Sequence, residues 1–252
     1  MNRFLLGVLP AVLIAVVLLG TGCPPERPPA QPPPKPEPAV TPAAPVAPDV
    51  EVTVPPPGGN LVEAEKRFAA GQKLMDKHKW DEAIKEFSAA LREYESYPAA
   101  YGARGLAYAN LIQSDGESAA EKAKADYDKA LELDPKLVSA YVDRGYIYMD
   151  YSHRAFGKEA EEKKWTDSAL ADFNQATQLD PKYASAYHGR GDWYYHQQQY
   201  EKALEQLNQA IKLDPKDPYA YASRANAYGA LGEQAKADAD LKKAESLGME
   251  YD

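Results

Sequence analysis

Imidazole and carboxylate groups recur at helical spacing in one short string, HGRGDWYYH, which holds His188, Asp192 and His196. Residues four apart share one stripe of a helix, and His with Asp suits a divalent ion such as Zn2+. The first and last of the three stand about 12 Å apart along a helix axis, too far to close on one ion. The string therefore reads as a polar, aromatic-flanked patch, and no metal or cofactor is expected. A second candidate is Cys23, the single cysteine in 252 residues. It has no partner for an internal disulfide, and Pro24 and Pro25 follow it where a nucleophile would need a structured base. Its expected chemistry is modification. The chain has no Gly-rich phosphate loop, no CxxC and no HExxH. No catalytic residue is assigned, and binding rather than catalysis is expected.

The elements around Cys23 say what the modification is for. Arg3 precedes an apolar run, FLLGVLPAVLIAVVLLG, and the small residues Thr21 and Gly22 lead into the cysteine. This is the layout of a secretory signal over residues 1–22. It resembles a bacterial lipoprotein signal, in which the cysteine thiol is diacylated and the new N-terminus is often acylated, so that palmitate-type chains hold the protein to a membrane. Gly20 stands where such signals usually place Leu, with Leu18 and Leu19 just before it. An uncleaved anchor is the other reading, since residues 4–20 approach the length of a short membrane span. Residues 24–60 hold 15 prolines in 37 positions, too little apolar surface to fold and enough proline to favour extended polyproline II. Residues 23–60 are thus a lipidated cysteine and a disordered proline-rich stalk.

Residues 61–252 carry 26 basic and 34 acidic side chains, an acidic balance that excludes nucleic acid as the main partner. Three near-identical strings, ALELDPK, ATQLDPK and AIKLDPK, alternate with AYGARGLAY, AYVDRGYIY, AYHGRGDWY and AYASRANAY. Similarity at such a period signals a solenoid, and apolar residues three and four apart signal helices. These strings resemble tetratricopeptide repeats, which are 34-residue helical hairpins. Five repeats fit, at about 64–97, 98–137, 138–183, 184–217 and 218–251, and the second and third are longer than 34 by 6 and 12 residues. The extra residues fall between the two helices of each hairpin and are expected to lengthen both or add a short turn.

Aligned on that frame, three columns are small: Gly71, Gly105, Gly145, Gly191 and Ala225; Ala83, Ala123, Ala169, Ala203 and Ala237; Ala90, Ala130, Ala176, Ala210 and Ala244. They face one large column of Phe87, Tyr127, Phe173, Leu207 and Leu241. Small residues permit close helix approach and the large one fills the gap. Arg104, Arg144 and Arg224 vary together with Asp126, Asp172 and Asp240, Arg190 with Gln206, and Ala70 with Glu86. An ion pair between the two helices is expected in repeats 2, 3 and 5.

The resemblance implies an all-α, right-handed superhelix of about five hairpins whose concave face is lined by the first helix of each. On this chain that stripe brings Tyr146, Met149, His188, Asp192, Tyr195 and His196 into a partner-binding patch with exposed tips. The implied function is an adaptor for a protein or peptide ligand in the bacterial cell envelope. It would be held through Cys23, most readily on the outer membrane facing the periplasm. The competing reading is a periplasmic carrier of a small apolar ligand, which needs a closed tunnel. The inserted segments around Phe156 and Trp165 offer a lip beside the groove as a competing surface.

Overall fold

Alanine, leucine, lysine and glutamate dominate the repeats, so helix is the low-cost state of nearly every segment between the prolines. The computed structural model describes residues 59–249. Five hairpins stack in order. They are α1 (Leu61–Met75) with α2 (Trp80–Glu93), α3 (Pro98–Ala109) with α5 (Glu117–Leu133), α6 (Val138–Arg154) with α7 (Glu159–Leu179), α8 (Ala184–His196) with α9 (Tyr200–Leu213), and α10 (Pro218–Ala230) with α11 (Gln234–Ser246). A one-turn helix, α4 (Ile112–Asp115), sits in the second. There is no strand among the described residues. The inserts act as expected. Repeat 3 lengthens both helices, to 17 and 21 residues, whereas repeat 2 adds α4 and a 17-residue second helix.

Local chemistry sets the boundaries. Asn60 and Asp217 cap α1 and α10, accepting from the backbone N–H of Glu63 at 3.1 Å and of Tyr219 at 3.0 Å. Pro98 and Pro218 occupy first helical positions, where no N–H is missed. In each LDPK string the aspartate turns extended, and its Oδ1 accepts from the N–H of Lys136, Lys182 or Lys216 at 2.9, 2.9 and 3.0 Å. That side-chain turn bends the chain over the proline into the next repeat.

The small-against-large columns pack as expected. A Cβ on Gly71, Gly105, Gly145 or Gly191 would land 2.5, 2.9, 2.7 or 2.7 Å from Phe87, Tyr127, Phe173 or Leu207 respectively. Those four large side chains are fully buried. Leu241, the fifth, is half-buried.

The helix-to-helix ion pairs are present and bidentate. Nε and Nη2 of Arg104, Arg144 and Arg224 donate to both oxygens of Asp126, Asp172 and Asp240 at 2.7–2.8 Å. Arg190 places the same two groups on Gln206 Oε1, at 2.9 and 2.6 Å. In repeat 1 the guanidinium absent at Ala70 comes from Arg67, which donates to Glu86 at 3.3 Å. The third arm was not expected. Nη1 of each column arginine reaches back to the preceding hairpin: to Ser88 at 3.0 Å, Asp128 at 2.7 Å, Asn174 at 3.2 Å and Asn208 at 2.7 Å. Each guanidinium also lies over a tyrosine three residues earlier, Tyr101, Tyr141, Tyr187 or Tyr221, at 5.2–5.7 Å from the ring centre. Burial pushes the Asp126 and Asp172 carboxyls above their ordinary range, against the pull of their arginines.

Two outcomes follow for stability. Ala203→Leu overpacks α8 against α9 and should cost about 1–3 kcal/mol; hydrogen exchange should accelerate first in repeat 4 and its neighbours, because solenoid coupling runs between adjacent units. Uniform acceleration over all five repeats would contradict this. Asp172→Ala leaves a largely buried guanidinium short of its partner and should cost about 3–5 kcal/mol in urea unfolding. Asp172→Gln reproduces the Arg190–Gln206 pairing and should cost clearly less; equal losses would show that the charge, not the acceptor, matters.

Candidate functional site

The first helices of successive hairpins pack against one another, α1 on α3, α3 on α6, α6 on α8 and α8 on α10, whereas the second helices meet the next repeat through its first helix. Direct contact between successive first helices, with each second helix meeting the next repeat through its first helix, makes the first-helix layer the inner wall of the curve. This face carries the residues singled out in the sequence.

The centre of the patch is a polar network rather than a row of free tips. Tyr146 Oη donates to Asp192 Oδ2 at 3.2 Å, and the same oxygen lies 3.4 Å from His188 Nε2. His188 Nε2 is also 3.0 Å from Ser223 Oγ, and its Nδ1 is 3.6 Å from Asp217 Oδ2, the carboxylate that caps α10. Repeats 3, 4 and 5 are thereby joined through side chains. The expectation of exposed tips fails for His188 and Met149, which are 7% and 6% exposed. Neighbouring first helices stack closely enough that residues on this stripe enter the junction between repeats. Met149 packs with Val142, Phe173 and Trp193, and Tyr146 meets the Phe173 ring edge-on at 5.4 Å. Trp193 is fixed by a hydrogen bond from its indole N–H to the Thr166 carbonyl at 2.8 Å.

The accessible part of the patch lies toward the C-terminal ends of α6 and α8. Tyr195 is half-buried, with its ring 5.6 Å from both His196 and Tyr200. His196 is exposed and faces His153, ring centres 4.6 Å apart. Desolvation, with the facing His153 adding to it, holds the His196 imidazole below its ordinary value of 6.5, while Asp192 acts the other way. The sequence reading passed over His153, Ser223 and Asp217. His153 lies in the repeat 3 insert, but it follows Asp150 by three residues and Met149 by four, so extending the helical stripe past the nominal repeat would have found it. In the lip, Trp165 is engaged, stacked at 5.6 Å on Tyr148 and 5.1 Å from Tyr151, and Phe156 stands free at 86% exposure.

Among the described residues no three His, Cys, Asp or Glu side chains converge as a metal site. No described helix is long and apolar enough to cross a membrane. Cys23, the 1–22 signal and the stalk up to residue 58 lie outside the described residues.

Models of the tetratricopeptide repeat match residues 68–136, 191–232 and 218–247. The chain belongs to the tetratricopeptide repeat family. Among solved structures, the tetratricopeptide repeat protein TTC0263 of Thermus thermophilus superposes with a TM-score of 0.66 at 22% identity, over 73% of this chain and 91% of that one. PilW, a type IV pilus biogenesis factor, gives 0.59 at 19% identity, over 77% and 80%. MamA from Desulfovibrio magneticus RS-1 gives 0.53 at 20%, over 73% and 94%. At these identities the likeness is one of fold. No curated protein matches the sequence.

In this tetratricopeptide array His188 is a structural linker. His188→Ala removes the group shared by Ser223, Asp192 and Asp217 and should lower stability by about 1–3 kcal/mol. Phe156→Ser, at an exposed site, should stay within about 0.5 kcal/mol of the parent. Equal unfolding midpoints for the two variants would remove the linking role.

Proposed function

We propose that this tetratricopeptide protein is an adaptor of the bacterial cell envelope, tethered by a lipid on Cys23, that binds a protein or peptide in its concave groove. The observation that carries the reading is the inner wall itself. Five first helices form one continuous face, and the Tyr146–Asp192–His188–Ser223 network fixes the geometry of its middle before any ligand arrives. A preformed face loses less conformational freedom on binding. Tyr195 presents a rigid ring with a polar tip beside His196, the kind of side chain that anchors protein interfaces. The family favours protein partners, and one similar fold, PilW, is a pilus biogenesis factor. Tethering rests on the sequence: a signal-like run, a cysteine, and a proline stalk that would hold the array clear of a bilayer on the outer membrane's periplasmic side. The carrier reading is less well supported, because Met149 and His188, which would line a tunnel, are packed and hydrogen-bonded.

The groove is tested with the full-length protein extracted from native membranes and the partner cross-linked to it there. Tyr195→Ala should weaken that complex by about 2 kcal/mol or more, the loss typical of an anchor, and deletion of residues 154–163 should leave it near parental strength. The reverse pattern moves the site to the Phe156 lip. Intact-mass spectrometry of the same preparation should show a mature chain that begins at a diacylated Cys23. A free thiol or a different first residue removes the tether from the proposal.

A further inference from the structure

The exposed end of the groove contains two imidazoles that the polar network does not use. His153 stands in the last turn of the repeat 3 helix α6 and His196 ends the repeat 4 helix α8, 43 residues apart in sequence. Nε2 of His153 lies 3.4 Å from Nδ1 of His196. This is long for a hydrogen bond from nitrogen, which usually spans about 2.7–3.2 Å. It equals the separation of two nitrogen ligands on a tetrahedral ion, about 3.3–3.4 Å when each bond is about 2.0–2.1 Å.

We propose that His153 and His196 form a two-imidazole clasp for a divalent late transition-metal ion such as Zn2+, which would pin the ends of α6 and α8 together at the mouth of the groove. Neutral imidazole is a preferred ligand for such ions. Two carboxylates stand behind the clasp, one on each helix: Asp150, three residues before His153, and Asp192, four before His196. Asp150 is paired with Arg154 at 2.8 Å, and Asp192 accepts from Tyr146. Each therefore acts on the histidines through its charge and not as a ligand. That charge favours a bound cation and offsets the nearby arginine. Water completes the coordination, since no third protein ligand converges there among the described residues. The binding energy would fall on the junction of repeats 3 and 4, the stretch that shapes the groove.

The test is calorimetric titration of Zn2+ into the full-length chain in detergent, with Cys23→Ser in every arm so that no thiol competes. One equivalent should bind. His153→Gln and His196→Gln should each weaken binding by more than about tenfold, at least the loss that follows from disturbing a supporting group alone. His78→Gln, far along the chain in the α1–α2 turn, should leave it unchanged. Both clasp histidines are exposed, so the variants should match the parent's metal-free melting point. Zn2+ should also slow hydrogen exchange in the last turns of α6 and α8. Absence of a one-equivalent site, unaltered binding in either clasp variant, or protection located elsewhere would each overturn the clasp.

Discussion

Everything in this solenoid depends on how closely the two helices of a hairpin approach. Glycine or alanine at the crossing lets the backbones come together, and one large side chain per repeat fills what remains. The approach is so close that a single added methyl at Gly145 would sit 2.7 Å from Phe173. Close packing of this kind gains many small dispersion contacts and tolerates little change of volume. It also sets the tilt of each hairpin, and so the angle at which the next one can stack.

Stacking needs a second device, because each repeat alone leaves apolar surface bare. Here it is the arginine column. One guanidinium reaches forward to its own second helix, backward to the previous one and flat over a tyrosine. Planar geometry with five donors is what makes three directions possible, and lysine has no equivalent. In repeats 2, 3 and 5 the arrangement carries charge into the interior without leaving it unpaired. In repeat 4 the forward partner is a neutral acceptor, Gln206, which takes both donors of Arg190 on one oxygen.

The groove follows from these two constraints. Stacked hairpins bring first helices into contact on the inside, and that contact consumes side chains that the repeat pattern assigns to a ligand-facing stripe. His188 and Met149 become part of the junction, and the accessible surface shifts toward the helix ends at Tyr195, His196 and His153. The same crowding that rigidifies the centre leaves a firm, partly aromatic rim for a partner to meet.

The sequence by itself determined the hairpins, their number, the steric columns and the Arg–Asp pairs of repeats 2, 3 and 5. All of these are contacts within one repeat, written at fixed helical spacing and repeated until the pattern is unmistakable. Only the tertiary structure decided the backward arm of each arginine, the Tyr146–Asp192–His188–Ser223 network, the burial of His188 and Met149, and the meeting of His153 with His196. Those contacts join different repeats, and their geometry is set by the angle and separation at which whole hairpins stack. That angle comes from the summed packing of many side chains, and no single repeat encodes it in its spacing. His153 adds a further reason. It sits in an insert that breaks the 34-residue period, so the repeat frame alone does not assign it to the inner face.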